Sequence, residues 1–583
     1  MSNNSRTKDF IINLFIIVSA IYFLFPLLQS GFVSDDAYNS LIRGNILEKN
    51  QTFINYVLDL NWGWIKGSGR LYPIEHFSQT FLFYFIKNVF SFKIFKLTII
   101  LISIYYFKKN VDTFFKSKSL GNLSVLILII FFQFRLWHDP ILGFAVLIPM
   151  ICLFFFSSLY YFQIFLEKDK KKYLFRSLIL YLLLLLTYEI SYPLIIVYIA
   201  IVFFKSNLFK DIYFKLKFYY IILFLVIILT IYFRLNVVEN SYPSLDQNFS
   251  IIPFFQSFGI QTFSGLSLSY FSRLKINFIE NLKVIDLYLI IYFVFTFYIF
   301  KNLDLKNINY KKIIQLLIIG ILIIFSQSFL VAISGHKKDL INIGLGFGYL
   351  PVLLQYFGFV LIYLSIFLLI FLQIESQFIK NFFCIIFSTC LTLNGVINIA
   401  NNNYVVNESN KFYKYPRELL KKGLLFSNKK NDIKNSTIII RNWRFPHDIN
   451  WFYSKHTNRL FCIINISKNI DEPDFSWPTD CALKKLSKEK NELVFKNNEN
   501  IYSISYNFDS TGNQNGYLYY SKIDKIIVNK KSKMISNLRT KKIAIYSEKE
   551  NKLKNILLNK NYNFINIIKQ DQKIADEVKA PFL

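Results

Sequence analysis

Apolar runs, most of them about twenty residues long and closed off by short clusters of Lys and Arg, recur from position 10 to position 398 of this 583-residue chain. A helix of that length crosses the ~30 Å hydrocarbon of a bilayer at about 1.5 Å per residue, whereas a Lys or Arg at its centre costs about 2.5 to 3.5 kcal/mol. The basic clusters therefore mark where each crossing ends. That rule predicts spans at 10–30, 92–107, 120–137, 141–166, 173–188, 192–204, 217–235, 285–300, 313–333, 350–372 and 381–398, about eleven in all. With 54% hydrophobic and 19% aromatic residues, the chain carries more apolar surface than a soluble fold of its size buries. The expected class is a polytopic α-helical membrane protein. The formal charge of +30 sits in the clusters between runs, which is how topology is encoded, so nucleic acid is not expected as a partner.

Three decisions fix the topology. The first run, from Phe10 to Leu28, is too long for a signal-peptide core and ends without a small-residue cleavage site, so it reads as a retained helix. The stretch from Phe77 to Phe90 is short, contains Lys87 and follows a polar loop, which suits an in-plane interfacial helix. Residues 173 to 204 would make a single helix about 48 Å long, too long for one crossing, so the chain is split at Glu189 and Pro193. With that split, the clusters Lys108 to Lys118, Lys168 to Arg176, Lys205 to Lys217 and Lys301 to Lys312 share the cytoplasmic side. The N-terminus is then inside, and loops 31–91, 236–284 and 334–349 face outward. The expected location is a bacterial cytoplasmic (inner) membrane, with residues 400–583 outside.

From Asn401 the hydropathy falls and Asn, Lys and Asp rise, dividing a membrane part, 1–399, from a soluble part, 400–583. Residues 436–441, 459–464, 501–506 and 526–528 are rich in β-branched and aromatic residues and read as strands. Residues 547–559 carry apolar residues at helical spacing. A mixed α/β module follows, without a catalytic motif. Cys462 and Cys481 are the cysteines of this part; they close a loop in an oxidising compartment or stay as two thiols. His447 and His456 lack further ligands at metal spacing and read as surface or structural residues.

The segment Gly31-Phe-Val-Ser-Asp35-Asp36-Ala-Tyr38 holds two adjacent carboxylates at the outer interface. Acidic residues do little to set orientation, and charge beside hydrocarbon has a cost. One of them suits a general base that takes a proton from an acceptor hydroxyl. The alternative is a helix cap ahead of residues 37–47, since Ser34, Asp35 and Asp36 are all good capping residues. The same loop continues with Lys66-Gly-Ser-Gly-Arg70-Leu-Tyr72-Pro73-Ile-Glu75-His76, a shaped turn.

An acidic pair after the first helix, a long first outer loop with in-plane helices and a Gly-Arg-Tyr-Pro-like element resemble the GT-C integral-membrane glycosyltransferases. Their plan is similar too: many spans, often followed by an extracytoplasmic C-terminal domain. The motif likeness covers residues 31–91. It implies transfer of a sugar from a polyprenyl-phosphate carrier to a glycan, lipid or protein acceptor on the outer face, as in building cell-envelope polysaccharide. The catalytic acid of the first outer loop would be Asp35 or Asp36, with Asp35 favoured, and a second acid would be Asp139, beside His138. Asp139 before Pro140 is equally a cap with Pro at the first helical position. Some members use a divalent cation, Mg or Mn, and others none. A lipid phosphate needs cations on the same side: His336, Lys337 and Lys338 offer them against the positive-inside tendency, or form an ordinary solvated turn. Arg70 can serve the same phosphate, with Tyr72, Glu75 and His76 nearby in sequence. Arg135 and Arg234 lie near helix ends and can snorkel. Glu189 is either a structural hydrogen-bond partner or an acceptor-site carboxylate.

Rival readings make different marks. A transporter or flippase more often shows internal repeats and ionisable residues near the midplane. A lipid-linked oligosaccharide polymerase or ligase has a large central outer loop, and 236–284 is of moderate length. A non-catalytic scaffold displaying the C-terminal domain predicts that Asp35 and Asp36 are dispensable.

Overall fold

The computed structural model describes residues 3–136, 138–206, 209–238, 250–271 and 286–426 apart from 304, 306, 307 and 336, together with 436–441, 462–466, 473–474, 500–507, 517–523, 525–528, 535–547 and 552–563. These form two compact units, Met1–Ser30 with Ile54–Asn407, and Gly31–Phe53 with Glu408–Leu583.

The first unit is helical. Among the described residues, seven helices are long and apolar enough to cross a bilayer: Asp9–Gln29, Val89–Phe115, Leu147–Lys168, Asp211–Asn236, Tyr310–Ile333, Val352–Gln373 and Gln377–Lys411. The other four predicted spans correspond to shorter helices, Lys118–Ile129, Lys171–Leu185, Ile195–Ser206 and Leu287–Lys301. Exposed Phe10, Phe224, Leu225, Leu235, Leu287 and Phe378 give these helices apolar outer surfaces that water would not solvate. The protein is a polytopic helical membrane protein. Small residues let the helices Tyr310–Ile333 and Val352–Gln373 pack closely: a Cβ on Gly320 would lie 2.7 Å from the carbonyl oxygen of Gly358, and one on Gly358 would lie 2.8 Å from that of Gly320.

Two helix breaks shape the unit. The first replaces the expected regular helices across 120–166. The helix Lys118–Ile129 stops early, and residues 130–136 and 138–146 run irregularly before Leu147–Lys168 begins. Backbone buried in a membrane protein must find partners other than water, and here side chains supply them. Asn402 Oδ1 accepts from Phe134 N at 2.7 Å and Asn402 Nδ2 donates to Phe132 O at 2.8 Å. Lys93 and Lys96, both fully buried on Val89–Phe115, donate to Leu142 O and Gly143 O at 2.9 Å each. Arg135 does not snorkel as a residue near a helix end would. It is 1% exposed and donates to the carbonyls of Gly346 at 3.2 Å and Ser264 at 2.8 Å, and to the Tyr356 hydroxyl.

The second break lies where Glu189 and Pro193 predicted it. A 3-10 segment, Glu189–Leu194, separates Lys171–Leu185 from Ile195–Ser206. The helix expected over 77–90 runs from Pro73 to Phe85, because Pro73 opens it with its preset φ and Asn88 caps the next helix by accepting from Phe90 N at 3.0 Å.

In the second unit, residues expected as one helix, 37–47, form two, Asp35–Asn39 and Ile42–Glu48. The C-terminal strands are β1 Ser436–Arg441, β2 Cys462–Ile466, β3 Pro473–Asp474, β4 Asn500–Asn507, β5 Tyr517–Lys522, β6 Lys525–Val528, β7 Ile535–Ser547 and β8 Lys552–Asn563. They join in the order β3-β2-β1-β4-β5-β7-β6, with β8 on β7. β1 pairs in parallel with β2 and β4, and the remaining pairs are antiparallel. The helix expected over 547–559 is replaced by β8. Lys552 to Leu557 pair in continuous register with β7, from Ser547 back to Lys542, so backbone pairing with a distant strand decides the conformation there and the local apolar spacing does not. Before the sheet, the helix Tyr415–Phe426 packs against β5 and β7. Cys481, His447 and His456 lie outside the described residues.

Candidate functional site

The first unit contains a cavity of about 270 Å³ at the second helix break. Glu189 opens the 3-10 segment and is bracketed by two guanidinium groups. Arg234 Nη2 stands 2.9 Å from Glu189 Oε2, and Arg70 Nε stands 3.6 Å from Glu189 Oε1. Arg70 reaches this position because the chain turns at Gly69, whose φ of +66° favours glycine. A Cβ there would lie 2.5 Å from Arg234 Cγ, so only glycine lets the loop pass the 209–236 helix so closely. Two cations and one carboxylate leave the cluster with a formal charge of +1. The remaining walls are largely apolar, with Ile190, Ile227, Ile231, Leu330, Val331 and Ile333, and with Thr230 and Tyr192 adding hydroxyls. Ile231 also stays 50% exposed on the same outer surface as Ile228 and Leu235. The cavity thus joins a cationic end to a lipid-facing wall.

Tyr72 adjoins this cluster, its ring centroid 4.8 Å from that of Tyr188. Ile74 N donates to Leu186 O at 3.3 Å, tying the start of the Pro73–Phe85 helix to the break. Tyr72, Glu75 and His76 are all buried. Burial, reinforced by Tyr188 and Glu189, holds the Tyr72 hydroxyl well above the ordinary phenol range, so it stays protonated. Burial lowers the His76 pKa to about 4, leaving a neutral imidazole whose ring lies 5.8 Å from that of Trp64. Neither nitrogen of His76 has a hydrogen-bond partner among the described residues.

No family model matches this chain, and no curated protein matches it either. The chemistry therefore rests on the residues themselves.

Asp35 and Asp36 belong to the second unit and open the short helix Asp35–Asn39. Ser34 makes no side-chain capping bond; its hydroxyl instead donates to Asp35 Oδ1 at 3.4 Å. Asp36 is fully buried while Asp35 is exposed. Desolvation by the surrounding loop and the neighbouring Asp36 push the Asp35 carboxyl up to about 6, against the lowering effect of the Ser34 hydrogen bond. A carboxyl tuned there is ionised at neutral pH and basic enough to take a proton in a transition state.

Asp139 belongs to the first unit and is 2% exposed. Its Oδ2 accepts from Arg135 N at 2.6 Å, and its Oδ1 accepts from Ile141 N at 2.7 Å and Leu142 N at 2.6 Å. These N–H groups hold a turn, but the helix that Pro140 was expected to open is absent: the chain runs as turns there and the next helix begins at Leu147. Burial raises its carboxyl pKa, and the same N–H groups and Arg135 pull it back. His138 adopts φ 44° and stacks on Phe144 at 5.5 Å and near Tyr349 at 5.4 Å. Tyr349 and Ser334, at the two ends of the 334–349 loop, line the cavity. Lys337 and Lys338 start the helix Lys337–Ile343, but their side chains, and His336 altogether, lie outside the described residues. A divalent cation needs several oxygen or nitrogen ligands. Among the described residues no three His, Cys, Asp or Glu side chains gather to supply them.

Arg234 is the functional side chain that the snorkelling argument missed. A signal was present: Glu189 is the sole acid between Asp169 and Asp211, and Arg234 is the sole arginine between Arg176 and Arg273. Isolated charges of opposite sign within apolar runs tend to pair.

Proposed function

We propose that the protein is a membrane glycosyltransferase of the GT-C-like kind. It moves a sugar from a polyprenyl-phosphate carrier to a glycan, lipid or protein acceptor on the outer face of a bacterial inner membrane. This reading includes about eleven crossings, an inside N-terminus and an outside C-terminal α/β domain. The observation that carries it is the cavity joining Arg70, Arg234 and Glu189 to an apolar wall that reaches the lipid-facing surface. A prenyl phosphate has the matching division, an anionic head on an apolar tail. Guanidinium groups hold phosphate oxygens through charge-assisted, bidentate hydrogen bonds.

In the proposed reaction the acceptor hydroxyl oxygen attacks the anomeric carbon and its proton passes to the Asp35 carboxylate. The bond from the anomeric carbon to the phosphate oxygen breaks, and its electron pair leaves with the polyprenyl phosphate. Cations stabilise developing charge of that kind. Each role rests on the residue's own surroundings: Asp35 on its raised pKa and exposure, the arginines on the cavity.

The test offers purified full-length protein in lipid nanodiscs a panel of labelled polyprenyl-phosphate sugars with envelope glycan and lipid acceptors, and follows release of polyprenyl phosphate. Turnover is expected with at least one donor, and Asp35→Asn is expected to lower it by about 10²- to 10⁴-fold, the usual contribution of a general base. Binding without turnover of any donor would instead favour a carrier or flippase.

A further inference from the structure

The acid pair is held by the C-terminal part of the chain. Gly31–Phe53 forms one compact unit with Glu408–Leu583, and named contacts account for this. Gly31 N donates to Asn410 Oδ1 at 3.0 Å. A Cβ on Gly31 would lie 2.9 Å from Lys414 Cβ and 3.1 Å from its backbone, so the chain can approach only as glycine. Arg417 Nη2 then donates to Ala37 O at 3.1 Å and to Ser40 Oγ at 2.9 Å. Its guanidinium carbon lies 5.1 Å from the centroid of the Phe32 ring. Ser40 Oγ in turn donates to Ala37 O at 2.6 Å, and Ser40 N donates to Asp36 O at 3.0 Å. One guanidinium therefore closes the C-terminal end of the short turn that begins with Asp35 and Asp36, where unsatisfied carbonyls and the local dipole favour a cation.

This layer is tight. Phe32 is 1% exposed, Asp36 and Ala37 are fully buried, and Ser40 and Arg417 are each 4% exposed. A guanidinium placed there has lost its water and depends on its acceptors and its ring contact. Such a cost is difficult to explain for a five-residue surface turn, yet it makes sense if the turn must hold a carboxylate in one orientation. Arg417 belongs to the helix Tyr415–Phe426, whose Leu419 and Leu420 are fully buried and which packs against β5 and β7. The guanidinium is thus anchored from the sheet side.

We infer that Arg417 is a positioning residue for the Asp35–Asp36 turn, and that the C-terminal sheet domain serves the reaction by holding that turn. This rests on the transferase reading for its meaning in catalysis, but the positioning can be measured without turnover.

The experiment uses full-length protein in nanodiscs and compares wild type with Arg417→Lys, Arg417→Gln and Asn410→Ala. Hydrogen–deuterium exchange reads the backbone of residues 33–41, with the 73–85 helix as internal reference. Arg417→Gln is expected to speed exchange in 33–41 by about tenfold or more, as for loss of one hydrogen bond to a charged group, and to leave 73–85 unchanged. Arg417→Lys keeps a cation near Ala37 O and is expected to recover part of the protection. Asn410→Ala loosens the Gly31 end alone and supplies the test if Arg417→Gln fails to fold. In the transferase assay, Arg417→Gln lowers kcat with little change in donor KM and moves the acid limb of the pH profile, and lysine partly restores both. Unchanged exchange at 33–41 in the folded Arg417 and Asn410 variants would overturn the inference. Faster exchange in a protein that consumes no donor would leave the positioning intact and remove the transferase reading alone.

Discussion

Arg234→Gln and Glu189→Gln, taken together, separate an anion site from a structural ion pair, because an anion site gives the two substitutions opposite effects on phosphate binding and a structural pair does not. Glu189 lies 2.9 Å from Arg234 and 3.6 Å from Arg70. Arg234→Gln removes one of two cations and cancels the cluster's net positive charge. A charge-assisted hydrogen bond to a phosphate oxygen is worth about 1.5 to 3 kcal/mol, so prenyl phosphate should bind about 10- to 150-fold more weakly. Glu189→Gln raises the formal charge of the cluster from +1 to +2. A phosphate held by both guanidiniums would sit about 5 to 6 Å from that carboxylate, where like-charge repulsion at an effective dielectric of about 20 is ~3 kcal/mol. Glu189 is 24% exposed, and solvent screening reduces that to about 1 to 2 kcal/mol. Binding should tighten by about 5- to 30-fold, even as the protein loses the ion pair that bridges its helix break. The assay is the thermal stabilisation of each variant by polyprenyl phosphate, with the uncharged polyprenol as control, since saturation at 100 times Kd adds about 2.7 kcal/mol to the folded state. If both substitutions weaken the fold and neither changes the difference between phosphate and alcohol, the cavity is a structural joint and the donor assignment fails.

Three further outcomes follow from the same coordinates. If Asp35 is the base, turnover falls about tenfold per pH unit below its pKa of about 6; Asp36→Asn removes the neighbouring negative charge, so the acid limb of the pH profile should move to lower pH. Arg135→Gln deprives the Gly346 and Ser264 carbonyls of a buried donor and should cost about 3 to 5 kcal/mol, visible as loss of monodisperse protein on size exclusion; a stable, monodisperse variant would contradict the role given to it. Gly320→Val forces atoms into the Gly358 backbone and should lower the midpoint of thermal unfolding by several degrees, at a cost of about 1 to 3 kcal/mol, whereas an unchanged midpoint would mean that the two helices pack less closely.

The charge and hydropathy pattern of the chain was sufficient for the membrane class, the helix break at Glu189 and Pro193, and four of the strands, because each depends on local periodicity or on the cost of charge in hydrocarbon. The same reasoning placed Arg70, Tyr72, Glu75 and His76 in one loop, and the structure brings Arg70 and Tyr72 beside Glu189. It left Arg234 unpaired with Glu189, although each is an isolated charge of its sign in its own apolar run. That pairing spans 45 positions and requires helix 209–236 to lie across the break, a matter of packing. Asp139 shows the reverse: an acid beside a histidine has the composition of a catalytic pair, yet its oxygens accept from the backbone N–H groups of Arg135, Ile141 and Leu142, and only the turn's geometry reveals that.

Local sequence, then, decides which segments are apolar enough to enter a bilayer, because transfer energies add along a chain. Which charged groups meet is decided by tertiary structure, since a guanidinium finds its acceptors only after helices far apart in sequence have packed. Arg417 and the Asp35–Asp36 turn, some 380 positions apart, are the clearest case. Neither segment carries any periodic signal of the other, and the buried hydrogen bonds between them exist only in the folded protein.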